Sequence, residues 1–187
     1  GVTAASAFAA INPDAEYEHI FLLGPSHHVY LGKASVNIGA SAYATPLGNV
    51  PVDTALCKDL MEKSDAITYA QEAHESEHCL EVELPFLQYH MKKLPSIVPI
   101  IIATQELTTL KKIADTLKSY LNEKNLFIIS SDFSHYPAYK DAEIVDGLTK
   151  DSIMTGKVEA FVNATLHNQE LGIDHLATSA CGMAPIA

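Results

Sequence analysis

Three short apolar runs, set apart by stretches of helical periodicity, constrain this chain most. In HIFLLGPSHH (residues 19–28), Ile20, Phe21, Leu22 and Leu23 are closed by Gly24 and Pro25, which reads as a buried strand running into a loop. IVPIIIA (97–103) is a second such strand, with Pro99 predicting an edge or a bulge. NLFIISS (125–131) is another buried strand, and Asp132 begins its loop. ASVNI (34–38) alternates like a strand, and ATPLGN supplies turn chemistry.

Helical patterns fill the intervals. An alanine-rich stretch carries Ala5, Phe8 and Ile11 at helical spacing before Asn12 and Pro13 end it. Asp53 is a good N-cap for a helix through Lys63, with Leu56, Leu60 and Met61 facing inward. A second helix carries Leu80, Leu84, Leu87 and Met91, with Pro85 in its first turn or at a kink. A third, over 106–121, aligns Leu107, Leu110, Ile113, Leu117 and Leu121. Further helices are expected over 140–154, 157–167 and from about Thr178, which would put Cys181 near a helix start. Strands alternating with helices define an α/β fold with a central, mostly parallel or mixed sheet flanked by helices.

At 187 residues and 48% hydrophobic content, the chain suits one domain over 1–187, or at most two small ones, with a substantial core. It starts at Gly1 and stops at Ala187 inside an apolar run, so a chain trimmed at both ends is expected. The formal charge of -11 argues against nucleic acid, whose phosphates need clustered Lys and Arg, and against anionic membrane surfaces. Three widely spaced cysteines without a CxxC pair suit a reducing cytoplasmic setting better than a disulfide framework. No signal peptide or membrane-spanning run is visible.

Two strand-to-loop junctions hold candidate chemistry. His27 and His28 follow the first strand, and Asp132 and His135 follow NLFIIS; parallel strands would open both junctions onto the same sheet edge. One helical turn could put Asp132 and His135 on one face, where a carboxylate raises an imidazole's basicity. The bland alternative is a capping Asp132 and a solvated His135. HESEH (74–78) matches the HExxH zinc-peptidase pattern, but the surrounding acids leave such a helix no apolar side to bury, which favours coincidence. Cys181, in TSACGMAP, is either a small core residue or a thiolate whose softness selects iron, copper or zinc. Cys57 and Cys79 read as core residues, and His19, His90, His167 and His175 as surface or packing residues.

The motifs GPSHH (24–28), ATPL (44–47), EHCLEVELPF (77–86), SSDFSHY (130–136) and ACG (180–182) together resemble the Memo-like family, also called AmmeMemoRadiSam system protein B. They run in order over nearly the whole chain, with mild departures at Cys79 and Leu80. The resemblance implies a fold similar to class III extradiol dioxygenases of the LigB type. It implies a divalent metal site built from two histidines and a cysteine, with iron expected and copper or zinc as alternatives. His27 and Cys181 match ligands, and Asp132 and His135 match a catalytic pocket pair. His28, His78 and Glu81 are then expected to surround the ligands. The other histidine ligand belongs to a Pro-His-Ala-Gly-Tyr stretch that this sequence does not contain, so the site is expected to be one ligand short.

The leading expectation is therefore a metal-binding protein with an oxidase- or dioxygenase-like pocket. A thiolate departs from the two-histidine, one-carboxylate set of many non-haem oxygenases, so the reaction stays open. A second expectation is a scaffold module for a phosphopeptide, or for the AMMECR1-domain and radical-SAM partners that the resemblance implies. A third is a metal-free hydrolase with Cys181 as nucleophile, His135 as base and Asp132 as its orienter.

Overall fold

A computed structural model describes residues 1–187, which form two compact units, Gly1–Ser130 and Ser131–Ala187. The first holds the sheet. Its strands are β1 (His19–Pro25), β2 (Lys33–Val36), β3 (Ala42–Thr45), β4 (Gly48–Pro51), β5 (Ile67–Thr68), β6 (Ile97–Ala103) and β7 (Asn125–Ile129). Five of them make a mixed sheet in the order β5-β2-β6-β1-β7, while β3 and β4 form a separate hairpin. β1 lies parallel to both β6 and β7, and β2 runs antiparallel to β6. The α/β expectation with a mixed sheet holds.

The centre of this sheet is the core. Ile20, Phe21, Leu22, Ile97, Val98, Ile100 and Ile101 are essentially sealed from solvent, each worth about 1.5–3 kcal/mol relative to exposure. Phe21 stacks on Phe127 at 4.5 Å between ring centroids and meets Tyr120 at 5.3 Å. Pro99 stands in a fully buried central strand, not on an edge. The strand tolerates it because the pairing with β2 ends at Val36↔Ile100, so at Pro99 only β1 is a ladder neighbour. β7 departs from expectation in the other direction: pairing only with β1, it is a half-exposed edge strand ending in Ile129 at 39% exposure.

The helices of this unit are α1 (Val2–Ala9), α2 (Thr54–Lys63), the single turn α3 (Glu72–Glu75), α4 (Leu84–His90) and α5 (Leu107–Leu117). Asp53 caps α2 as expected, its carboxylate accepting the Leu56 N–H at 2.9 Å. The buried positions of α2 are Cys57 and Leu60, however, rather than Leu56 and Met61. Leu80, Leu84, Leu87 and Met91 are buried as expected, on a 3-10 turn (Glu81–Glu83) leading into α4, with Pro85 in the first helical turn. α5 buries Ile113 and Leu117, but Leu107 at its first position is 60% exposed, and Leu121, past the 3-10 turn into which the helix gives way at Lys118, is 63% exposed. On α1 only Phe8 is buried, stacked on Phe86 at 5.1 Å.

In the second unit, α6 (Tyr139–Met154) and α7 (Val158–Glu170) pack together, with Val145 and Phe161 buried and Asn168 donating to the Thr149 hydroxyl at 3.1 Å. The last helix, α8 (Met183–Ile186), is one turn long and begins after Cys181, so Cys181 lies in the preceding loop. No helix is long and apolar enough to cross a membrane.

Candidate metal centre

β1 and β7 run the same way, in register from His19↔Asn125 to Leu23↔Ile129, so the segments after both strands leave from one sheet edge. That arrangement was legible in the two strand-to-loop motifs. Within each unit, the side chains that follow behave differently.

In the second unit, Asp132, His135 and Cys181 come together, with one potential ligand atom from each lying within 4.8 Å of the others. The expected helical turn over Asp132–His135 does not form, since residues 131–135 are irregular. Instead this segment pairs with the one before Cys181. The Cys181 N–H donates to the Asp132 carbonyl at 3.1 Å, and the Asp132 N–H donates to Cys181 Sγ at 3.2 Å. Three residues on, the His135 N–H donates to the Thr178 carbonyl at 3.1 Å and the His135 carbonyl accepts from Ala177 at 3.2 Å. Four hydrogen bonds thus place donors from segments nearly fifty residues apart on one short frame. Ser131 closes its end: the hydroxyl donates to the Asp132 carbonyl at 2.7 Å and accepts the Gly182 N–H at 2.9 Å.

The His135 ring is oriented by the Phe133 carbonyl, 2.8 Å from Nδ1. A carbonyl only accepts, so Nδ1 carries a proton, and in the neutral ring Nε2 is the lone-pair atom. Next to it, Tyr136 adopts φ 71°, a left-handed conformation uncommon for a bulky residue and typical of strain held at functional sites. Asp132 is exposed, while His135 and Cys181 are half-buried, so the group is open on one side. Donors about 2.0–2.3 Å from one ion lie roughly 3.3–3.8 Å apart in a tetrahedral set. A cluster within 4.8 Å needs only a small inward adjustment, and its thiolate and imidazole fit a first-row transition metal better than magnesium or calcium.

In the first unit, His27 meets a residue the sequence reading overlooked. His27 Nδ1 lies 3.0 and 3.1 Å from the two carboxylate oxygens of Glu77, and the His27 N–H donates to Oε2 at 2.7 Å. Burial pushes the Glu77 carboxyl up, but the backbone and ring donors of His27, with the Cys79 N–H, outweigh it and leave its pKa below the ordinary glutamate value. The pair is fifty residues apart in sequence, and no spacing rule would have joined it. His28 is exposed. His78 Nδ1 pairs with Glu81 at 2.8 Å, with both side chains more than half exposed.

The HExxH reading fails on geometry. α3 ends at Glu75, so His74 and His78 do not share a helix face. His74 turns inward, its Nε2 3.0 Å from the Ser35 hydroxyl, and burial pulls its pKa down to about 4. Cys57 is sealed in the core, where burial pushes its thiol up to about 12.

A mixed α/β sheet, with a carboxylate, an imidazole and a thiol gathered beyond its last strand in sequence, defines a protein with a candidate transition-metal centre. The chain belongs to the Memo-like protein family, whose model matches residues 1–187. It is 31% identical over its whole length to a MEMO1 family protein of Methanosarcina mazei, covering 65% of that protein. It is 36% identical over 90% of its length to one of Aeropyrum pernix, covering 58%, and 37% identical over 65% of its length to one of Schizosaccharomyces pombe, covering 41%. The chain therefore spans about two fifths to two thirds of the length of these relatives.

Proposed function

We propose that this protein binds a divalent transition metal through Cys181, His135 and Asp132, and that the metal site serves oxidase-like chemistry of the non-haem iron type. Iron is the metal first in line, followed by copper and zinc. The single observation that carries this reading is the mutual approach of the three ligand atoms within 4.8 Å. Such a metal would supply Lewis acidity and, as iron or copper, an electron.

The residues divide the remaining work. Cys181 Sγ, which accepts the Asp132 N–H, would be the soft sulfur donor. His135 offers Nε2 while the Phe133 carbonyl holds its other nitrogen, the second-sphere hydrogen bond that metal-bound imidazoles characteristically make. Asp132, the exposed member, would supply a carboxylate oxygen on the open side of the group. Because a thiolate takes part, the donor set differs from the oxygenase triad, and ring cleavage is not part of the proposal.

The test is elemental analysis after anaerobic dialysis against Fe²⁺, Cu⁺ or Zn²⁺, comparing the wild type with Cys181→Ser and His135→Ala; His27→Ala is run in parallel because the family likeness names it a ligand. Stoichiometric metal in the wild type, lost in Cys181→Ser and His135→Ala, is expected. Undiminished metal in both of those variants overturns the reading.

A further inference from the structure

Glu77 is placed unlike a surface ion-pair partner. Its side chain is 4% exposed, whereas the His27 imidazole it contacts is 43% exposed. The buried member is the carboxylate, and the exposed member is the ring. Three backbone N–H groups converge on the carboxylate: His27 on Oε2 at 2.7 Å, and His78 and Cys79 on Oε1 at 3.0 and 3.1 Å. Both oxygens are therefore already acceptors. The His27 Nδ1, 3.0 and 3.1 Å from them, is a fourth donor straddling the pair.

Local structure explains how Glu77 reaches the end of β1. Ser76 leaves the helical conformation with φ -115°, ending α3 and turning the chain. Cys79 then donates its thiol to the Pro25 carbonyl at 3.3 Å. Gly24 makes the approach feasible, since a Cβ there would run into Cys79 Sγ and lie 2.8 Å from Leu80 Cδ2. The 77–80 segment is thus seated directly on the strand that presents His27.

We infer that Glu77 is a positioning residue that fixes His27 as the Nδ1–H tautomer and leaves Nε2 as the ring's lone-pair atom, ready for a divalent cation or a proton. A loop staple alone would need only the three backbone bonds. The ring contact adds orientation to a half-exposed imidazole that would otherwise rotate freely. Carboxylate–imidazole pairs of this kind set tautomer and basicity in metal-binding histidines. The inference concerns His27 in the metal-free chain and stands apart from the assignment of Asp132, His135 and Cys181.

The experiment is long-range ¹H–¹⁵N spectroscopy of ¹⁵N-histidine-labelled, metal-free protein at about pH 8, where an ordinary imidazole is neutral. His27→Gln assigns the signal. Wild type is expected to show a protonated Nδ1 and an unprotonated Nε2. Glu77→Ala should move His27 towards the Nε2–H form, and Glu77→Asp should restore part of the original pattern. Zn²⁺ affinity at any site using His27 should fall roughly 10–100-fold in Glu77→Ala. An Nε2–H tautomer in the wild type overturns the inference, as does an unchanged Nδ1–H tautomer in folded Glu77→Ala. If Glu77→Ala does not fold, the wild-type spectrum decides by itself.

Discussion

Asp132 and Cys181 hold one another by two backbone-anchored hydrogen bonds, Cys181 N–H to the Asp132 carbonyl at 3.1 Å and Asp132 N–H to Cys181 Sγ at 3.2 Å. Neither bond uses the Asp132 carboxylate. Asp132→Asn should therefore preserve the fold, shifting stability by less than about 0.5 kcal/mol as for an exposed substitution. Metal affinity should fall at least about tenfold in the same variant. Thermal unfolding and metal titration on one preparation check both halves, and a large stability loss would show that the carboxylate has a structural role.

Thiol chemistry separates the cysteines. Cys57 is buried with its thiol pushed up to about 12, so almost none of it is thiolate at neutral pH. Cys181 is half-buried and accepts an N–H bond. Iodoacetamide at pH 7.5 on the folded, metal-free chain should label Cys181 well before Cys57, as read by peptide mass spectrometry. Equal labelling would mean that the core opens on the same timescale.

His74 should make the fold acid-sensitive. Burial holds its pKa at about 4 against the ordinary 6.5, with hydrogen bonds donated by the ring to the Val36 and Ser35 backbone opposing the shift. Between these values the unfolded chain takes up a proton that the folded ring refuses. Stability is then fully present above about pH 6.5 and declines as pH falls towards 4, by at most roughly 3 kcal/mol. Urea unfolding at pH 7 and pH 4.5 should show a smaller difference for His74→Gln than for the wild type. An identical pH dependence in the two proteins would remove His74 as the cause.

Gly24 is required by close packing. Gly24→Ala should cost about 1–3 kcal/mol, since the added carbon meets Cys79 and Leu80 where the 77–80 segment crosses β1. A thermal shift measurement checks this, and an unchanged midpoint would mean the segment moves aside at no cost.

Much of this was written locally in the sequence. The apolar runs of β1 and β6, the Asp53 cap, the Leu80–Met91 face and the common edge of β1 and β7 all follow from short-range pattern. What failed depended on neighbours that pattern does not name. Pro99 reads as an edge signal, yet its missing N–H falls where β2 has already ended. β7 is as apolar as a central strand, but it has one partner only. In α2 the inward stripe is shifted to Cys57 and Leu60, because where α2 sits against the sheet decides which stripe is covered.

The candidate site divides the same way. Asp132 and His135 were legible as a pair, but their approach to Cys181 comes from irregular pairing of two loops, which has no periodicity to read. Glu77 was passed over because its partner is fifty residues away and its own neighbours look like an exposed acidic run. HESEH shows the reverse error: the letters fit a zinc helix, and Ser76 ends the helix inside the motif.

Cobalt binding tests the central claim most directly, because Co²⁺ occupies transition-metal sites and reports a bound thiolate through a charge-transfer absorption band. Titration of the wild-type chain with Co²⁺ should produce that band at a stoichiometric end point, Cys181→Ser should abolish it, and His135→Ala should weaken binding. A wild-type chain that gives no thiolate band, or a Cys181→Ser chain that gives the same one, would contradict a metal centre at Asp132, His135 and Cys181.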